Sequence, residues 1–372
     1  MRRFVPGVAA ACAACALVTA QTSTPFKLGT FELRGRTFVG IVLRDTVVID
    51  LAAANAAIQA PASSVAAPAD MKDLIARYDA GVRTRIGQIV SFVEGASTGA
   101  RPAYILDRKD LKTLPPVMYP MTMLNVAVNY REHDAEMSRG ARGASPAAAP
   151  PPGTAPPGTE SAPGIWQRAA GDARWNPYFF LKSPSAIVAD GEAIRIPPGR
   201  TQIDWECELG VVIGRRAARV PIAQAEAHIF GYTLENDVSD RQGRGDTRFG
   251  GSDWLIGKSH DTFAPLGPFI VPKEFVRNVK NLGIKFTLNG QLMQDANTSL
   301  MIHDVFEQIA YGSNIMTLQP GDVIATGSPA GVGSARTPPI FLKDGDRAVC
   351  TYEGIGTLTN PVAGPAAAPA SR

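Results

Sequence analysis

The stretch Asp204-Trp205-Glu206-Cys207-Glu208-Leu209-Gly210-Val211-Val212-Ile213 limits the fold more than any other part of the chain. Side chains alternate across a β-strand, so a strand here puts Trp205, Cys207, Leu209, Val211 and Ile213 on one face and Glu206 and Glu208 on the other. No Lys or Arg within the strand offsets the two like charges. Neighbouring carboxylates repel unless one is protonated or a cation lies between them, and a hard divalent ion with oxygen ligands is the common solution. An isolated Glu-x-Glu more often marks the solvated face of an antiparallel strand. The Trp and the β-branched run argue instead for a central strand whose carboxylates line a cavity.

At 372 residues and 45% hydrophobic content, the chain has room for one large domain and a smaller one. Met1-Arg2-Arg3, an Ala-rich apolar run from Phe4 to Ala20 and the small residues Val18-Thr19-Ala20 form the pattern of a secretory signal over 1–20. The run is too short and too weakly apolar to anchor as a membrane span, so an exported, periplasmic chain free of the membrane after cleavage is expected. Losing Arg2 and Arg3 lowers the basic count from 37 to 35 against 34 acids, which leaves no electrostatic case for nucleic acid or an anionic membrane. Cys12 and Cys15 leave with the signal. An oxidising compartment allows Cys207 and Cys350 to pair, but the place of Cys207 on the apolar face predicts a buried small hydrophobe instead.

Strand-like runs at 31–34, 37–42 and 46–49 and a helical run over 71–93 suggest a small α+β N-terminal domain over 24–115, with Pro115-Pro116 at its boundary. A second, mostly β domain is expected over 117–362. It is interrupted at 141–164, where seven Pro and four Gly in 24 residues predict a mobile insertion, and the tail 363–372 is expected to be disordered. Asn289-Gly290 between alternating apolar residues predicts a hairpin with a type I′ turn over 283–295. A helix is expected over 299–311, capped by Asn297, Thr298 or Ser299.

Asp237, in Gly231-Tyr232-Thr233-Leu234-Glu235-Asn236-Asp237-Val238-Ser239, supplies a third carboxylate beside Glu206 and Glu208. Three carboxylates suit Mg²⁺ first, with Mn²⁺ or Ca²⁺ acceptable; by spacing alone Asp237 is equally a turn residue. His133 and Glu136 stand at i, i+3, which on a helix brings them to one face, where a carboxylate raises the basicity of an imidazole. Lys182 and Lys258 each follow an apolar segment, where they either snorkel to water or meet an anionic substrate. Thr326-Gly327-Ser328-Pro329-Ala330-Gly331-Val332-Gly333 is a tight turn able to aim N–H groups at an oxyanion; it is neither a Walker loop nor a dinucleotide fingerprint. His228, His260 and His303 read as structural, His303 on the polar side of its helix.

Taken in order, these segments resemble the fumarylacetoacetate hydrolase family. The match is carried by Asn129-Tyr130 with His133 and Glu136, Phe180-Leu181-Lys182-Ser183-Pro184-Ser185, Asp204-Trp205-Glu206-Cys207-Glu208-Leu209, Gly231-Tyr232-Thr233 with Asn236-Asp237-Val238-Ser239, Gly257-Lys258-Ser259 with Asp261 and Pro265-Leu266-Gly267-Pro268, and the turn from Thr326 to Gly333. The resemblance implies an α+β, mostly β protein with a mixed β-sandwich roll as catalytic domain, usually a homodimer. It implies a divalent cation on Glu206, Glu208 and Asp237, catalysis by His133, Glu136 and Lys258, and substrate contacts from Lys182, Arg241, Ser328 and Tyr130. The expected activity is hydrolytic carbon–carbon cleavage of a 1,3-dicarbonyl or acylpyruvate-type 2-oxo acid. The alternatives are a decarboxylase or keto–enol isomerase on a related 2-oxo dicarboxylate, and a non-catalytic exported protein that binds metal or organic acid. The chain departs from the resemblance in its proline-rich insertion after the dyad, in Ser328 where Thr is frequent, and in its export signal.

Overall fold

The computed structural model describes residues 24–59, 65–95, 101–142, 161–246 and 253–365. The signal expected at 1–20 lies outside the described residues, as do 143–160 of the expected insertion and 366–372 of the tail. The fold is α+β and mostly β, as expected. Its backbone is a mixed sheet of 12 strands and a second sheet of five.

Along the large sheet the strands run Ile105–Asp107, Val47–Asp50, Arg36–Leu43, Lys27–Leu33, Ala264–Pro272, Ile229–Asn236, Cys207–Ile213, Val323–Ala325, Met123–Val126 and Phe179–Leu181. Lys112–Leu114 pairs with Lys27–Leu33, and Ile187–Val188 with Ala264–Pro272. Leu28 pairs with Ile270, so the sheet continues across the position of Pro115-Pro116. Cys207–Ile213 is central and buried at every residue, because both its faces meet other layers. The smaller sheet contains Gly283–Leu288, Gln291–Asn297, Arg347–Tyr352, Gly356–Ala363 and Ile194–Arg195.

Between the two sheets lies the main core. Trp205, Leu209, Val211 and Leu234 from one side pack with Ile284, Phe286, Tyr352 and Leu358 from the other. Trp205 stacks on Phe286 with centroids 5.4 Å apart. The helices Met71–Arg77 and Val82–Gly95 build a second core against the N-terminal strands, through Leu74, Ile75, Ile86 and Ile89. The single helical run expected over 71–93 is broken at Gly81, whose φ of 110° no L residue adopts without strain. Among the described residues no helix is long and apolar enough to cross a membrane.

The expectation for Cys207 is corrected. Cys207 does face the core, but it is bridged to Cys350 on the opposing sheet, 143 residues away. The apolar face points at a second sheet, and strand Arg347–Tyr352 there presents the other cysteine.

The hairpin forms as predicted: Asn289 and Gly290 carry φ of 52° and 82° between the strands Gly283–Leu288 and Gln291–Asn297. The following helix does not begin at 299. Asn297 caps only the short turn Thr298–Leu300, and the α-helix spans Val305–Ile315. Asp304 is its cap, in a reciprocal capping box with Glu307. His303 therefore precedes the helix and is buried, with Nε2 against the carbonyl of Trp175.

Glu307 also takes two bonds from Arg174, at 3.0 and 2.8 Å. Burial alone would raise its pKa, but His303, Arg174 and the Asp304 amide outweigh it and hold it at about 2. The stability contributed by this carboxylate is present above its unfolded pKa near 4.5 and is lost as pH falls toward 2. Glu307→Gln should cost about 2 kcal/mol at pH 7 and only a small fraction of that at pH 2, read from urea unfolding at both pH values. An equal deficit at both would remove the charge from this account.

Candidate functional site

The pairing register builds the site. Cys207 lies opposite Asn236 and Glu208 opposite Glu235, so Glu206 meets Asp237 just beyond the ladder's end. The Glu206 N–H donates to Asn236 Oδ1 at 3.0 Å and the Asp237 N–H to the Glu206 carbonyl at 2.8 Å, which pins both residues where the strands stop. One carboxylate oxygen from each of Glu206, Glu208 and Asp237 lies within 4.8 Å of the others, and all three residues are buried. The sequence-predicted triad is thus brought together.

Cations surround it. Lys258 Nζ bonds to Glu206 Oε2 at 2.8 Å and Asp237 Oδ2 at 2.5 Å, and Lys182 Nζ bonds to Asp237 Oδ1. Neither lysine snorkels to water; both are buried. Arg241 spans Glu206 Oε1 at 2.5 Å and Asp204 Oδ2 at 3.0 Å. Burial works against the Glu206 carboxylate, but Lys258 and Arg241 more than offset it and hold its pKa below the usual carboxylate range. Among the described residues no lysine or arginine hydrogen-bonds Glu208, and the pull of Lys258 on it is outweighed. Burial, together with Asp237, Glu206 and Glu235, pushes it well above that range. A hard divalent cation would relieve this repulsion, and a donor set of oxygens without thiolate or imidazole fits one.

His133 and Glu136 lie on the helix Arg131–Arg142, with Nδ1 3.4 Å from Glu136 Oε2. Glu136 is itself held by the Gly331 N–H at 2.9 and 3.1 Å. His133, when charged, helps lower the Glu206 pKa, so the dyad lies within electrostatic reach of the triad. The turn from Thr326 to Gly333 is tied to the site by its glycines. Three of its amides are taken by acids of the chain itself: the Gly327 N–H goes to Glu208 at 2.8 Å, that of Gly331 to Glu136 and that of Gly333 to Asp204 at 2.6 Å. Gly331, at φ 103°, passes so close to Met293 that a Cβ would lie 2.2 Å from its carbonyl oxygen. Ser328 Oγ accepts from Gln294 Nε2 at 2.8 Å. Tyr130 is wholly buried in the main core, where burial raises its phenol pKa.

Sequence reasoning assigns no role to Glu235, Asn125 or Asp204. Glu235 is fully buried, takes Asn125 Nδ2 at 3.1 and 3.2 Å, and is pushed up to about 8 by burial and then by Asp237. The signal for it was present, because Glu235-x-Asp237 repeats the spacing of Glu206-x-Glu208.

A family model described as fumarylacetoacetate (FAA) hydrolase C-terminal matches residues 122–363. The chain is 34% identical over 290 residues to "Oxaloacetate tautomerase fahd2, mitochondrial" of Xenopus laevis, covering 77% of this chain and 80% of that protein. Its fold resembles the crystal structure of 5-carboxymethyl-2-hydroxymuconate delta-isomerase from Mycobacterium smegmatis, with a TM-score of 0.59, 29% identity and coverage of 91% and 99% of the two chains. The fumarylacetoacetate hydrolase of Exiguobacterium antarcticum gives a TM-score of 0.65, 28% identity and the same coverage.

Proposed function

Because the chain belongs to the fumarylacetoacetate hydrolase family, we propose that it is a divalent-cation-dependent enzyme that interconverts the keto and enol forms of a 2-oxo dicarboxylate. The observation that carries this is the buried triad of Glu206, Glu208 and Asp237 with Lys182 and Lys258 beside it, a place where an enolate is stabilised. The relatives named for tautomerase and isomerase activities lend support.

A cation held by the triad, Mg²⁺ most simply and Mn²⁺ or Ca²⁺ otherwise, would supply Lewis-acid polarisation of neighbouring substrate oxygens. The protein's own groups do the rest. Lys258, Lys182 and Arg241 place positive charge where the substrate's oxygens become negative. His133, oriented through Nδ1 by Glu136, keeps Nε2 to carry the proton between the substrate carbon and the enol oxygen. Ser328 completes the proposed substrate contacts.

Carbon–carbon hydrolysis of an acylpyruvate-type substrate is the second reading, favoured by that same dyad, which is equally suited to deprotonating water. The two are separated by following loss of the enol absorbance of oxaloacetate and acid release from acylpyruvates, each with added Mg²⁺ or Mn²⁺. Cation-dependent enol loss without acid release supports the isomerase. No acceleration of either reaction with any cation sinks both. His133→Ala should slow turnover about 100-fold and leave Mn²⁺ affinity unchanged; undiminished turnover would exclude the dyad.

Export is part of the proposal and is supported by the Cys207–Cys350 bridge, since cytosolic thiols stay reduced. So is a homodimer, which sedimentation would test directly.

A further inference from the structure

Asp204 ends the short strand Ile203–Asp204 and is fully buried, and its carboxylate collects four donors from three parts of the chain. Oδ1 accepts from the Trp205 N–H at 2.9 Å and the Gly333 N–H at 2.6 Å. Oδ2 accepts from the Ser334 N–H at 3.0 Å and Arg241 Nε at 3.0 Å. Gly333 is required for this approach: a Cβ there would lie 2.8 Å from Asp204 Oδ1 and 2.0 Å from the Ile340 carbonyl oxygen.

Two consequences follow from these contacts. Gly333 and Ser334 close the turn whose Gly331 amide holds Glu136, so Asp204 ties the dyad's support to the stretch of chain that carries Glu206 and Glu208. Arg241 divides its guanidinium between Asp204 and Glu206. With Asp204 present the pair is neutral as a unit. Without that charge, the whole guanidinium falls to Glu206 and competes for an oxygen of the triad.

We propose that Asp204 is a positioning residue, which keeps Glu206 available to a divalent cation by sharing Arg241 and fixes the Gly-rich turn against the triad. The inference rests on the cation-binding part of the function proposed above and is independent of which reaction follows.

Calorimetric titration with Mn²⁺ alone, without substrate, tests it in four proteins. Asp204→Asn should weaken Mn²⁺ binding at least tenfold, in the range for groups that support a metal ligand. Arg241→Gln should bind no more weakly than the parent. The double variant should return to within about threefold of the parent, because removing the competitor repairs the loss, a coupling that a double-mutant cycle isolates. A purely structural Asp204 would make the double variant at least as weak as Asp204→Asn, and that result would overturn the proposal. Should Asp204→Asn not fold, Arg241→Gln still decides: a tenfold loss there would show that Arg241 itself seats Glu206, against the proposal. A parent chain that binds no Mn²⁺ would sink the cation site altogether, whereas normal parent binding with unchanged Asp204→Asn binding would sink only the role of Asp204.

Discussion

Glu208→Gln is expected to fold at least as stably as the parent chain, yet to lose the stabilisation that Mn²⁺ confers and about three orders of magnitude of turnover. The first half follows from the electrostatics. Burial and three neighbouring carboxylates disfavour the ionised form of Glu208, and among the described residues no lysine or arginine hydrogen-bonds to it. A neutral amide of the same shape removes that cost, and its carbonyl oxygen can still accept the Gly327 N–H. The second half follows because one of three anionic donors is gone. Asp237→Asn should behave differently. It strips the shared partner of Lys182 and Lys258, leaving buried ammonium groups under-compensated at a cost of about 3–5 kcal/mol. Thermal melts of chelator-treated protein with and without Mn²⁺, alongside turnover, read both variants. If Glu208→Gln keeps the full Mn²⁺-induced shift, Glu208 is no ligand.

The second large effect is on stability. Removing the bridge with Cys207→Ala and Cys350→Ala should cost about 4 kcal/mol, roughly three orders of magnitude in the unfolding equilibrium, because it frees a loop of 143 residues in the unfolded chain. Both cysteines are buried between the sheets, so the parent should resist reductant until it unfolds. Urea unfolding under oxidising conditions should separate parent from variant, and unfolding in dithiothreitol should bring the two together. Two titratable thiols in unfolded, unreduced parent lacking residues 1–20, and so lacking Cys12 and Cys15, would show that the bridge does not form.

The parts of the fold legible in the sequence were those set by local spacing. Period-two alternation placed Glu206 and Glu208 together with Trp205 and Cys207 behind them, and Asn-Gly fixed the hairpin. What escaped was set by partners distant in the chain. Cys207 was seen on the apolar face, but the strand facing it lies 143 residues on and in another sheet, so no spacing could pair it with Cys350. The helix expected from 299 begins instead at Val305, because Asp304 with Glu307 is a better cap than the candidates earlier in the chain. Asp204 shares the period-two face of Glu206, yet its meaning depends on Gly333, Ser334 and Arg241. The acceptors of the Gly-rich turn escaped for the same reason: the acids that take the Gly327, Gly331 and Gly333 amides lie elsewhere in the chain.

That turn is fastened by acids belonging to three separate elements: Glu208 at Gly327, Glu136 at Gly331 and Asp204 at Gly333. It is therefore not an exchangeable cassette. Grafting a relative's loop between Ala325 and Ser334 would transplant the glycines without their fasteners, so chimeras made to alter substrate preference must carry all three acids along or lose their geometry at the first splice.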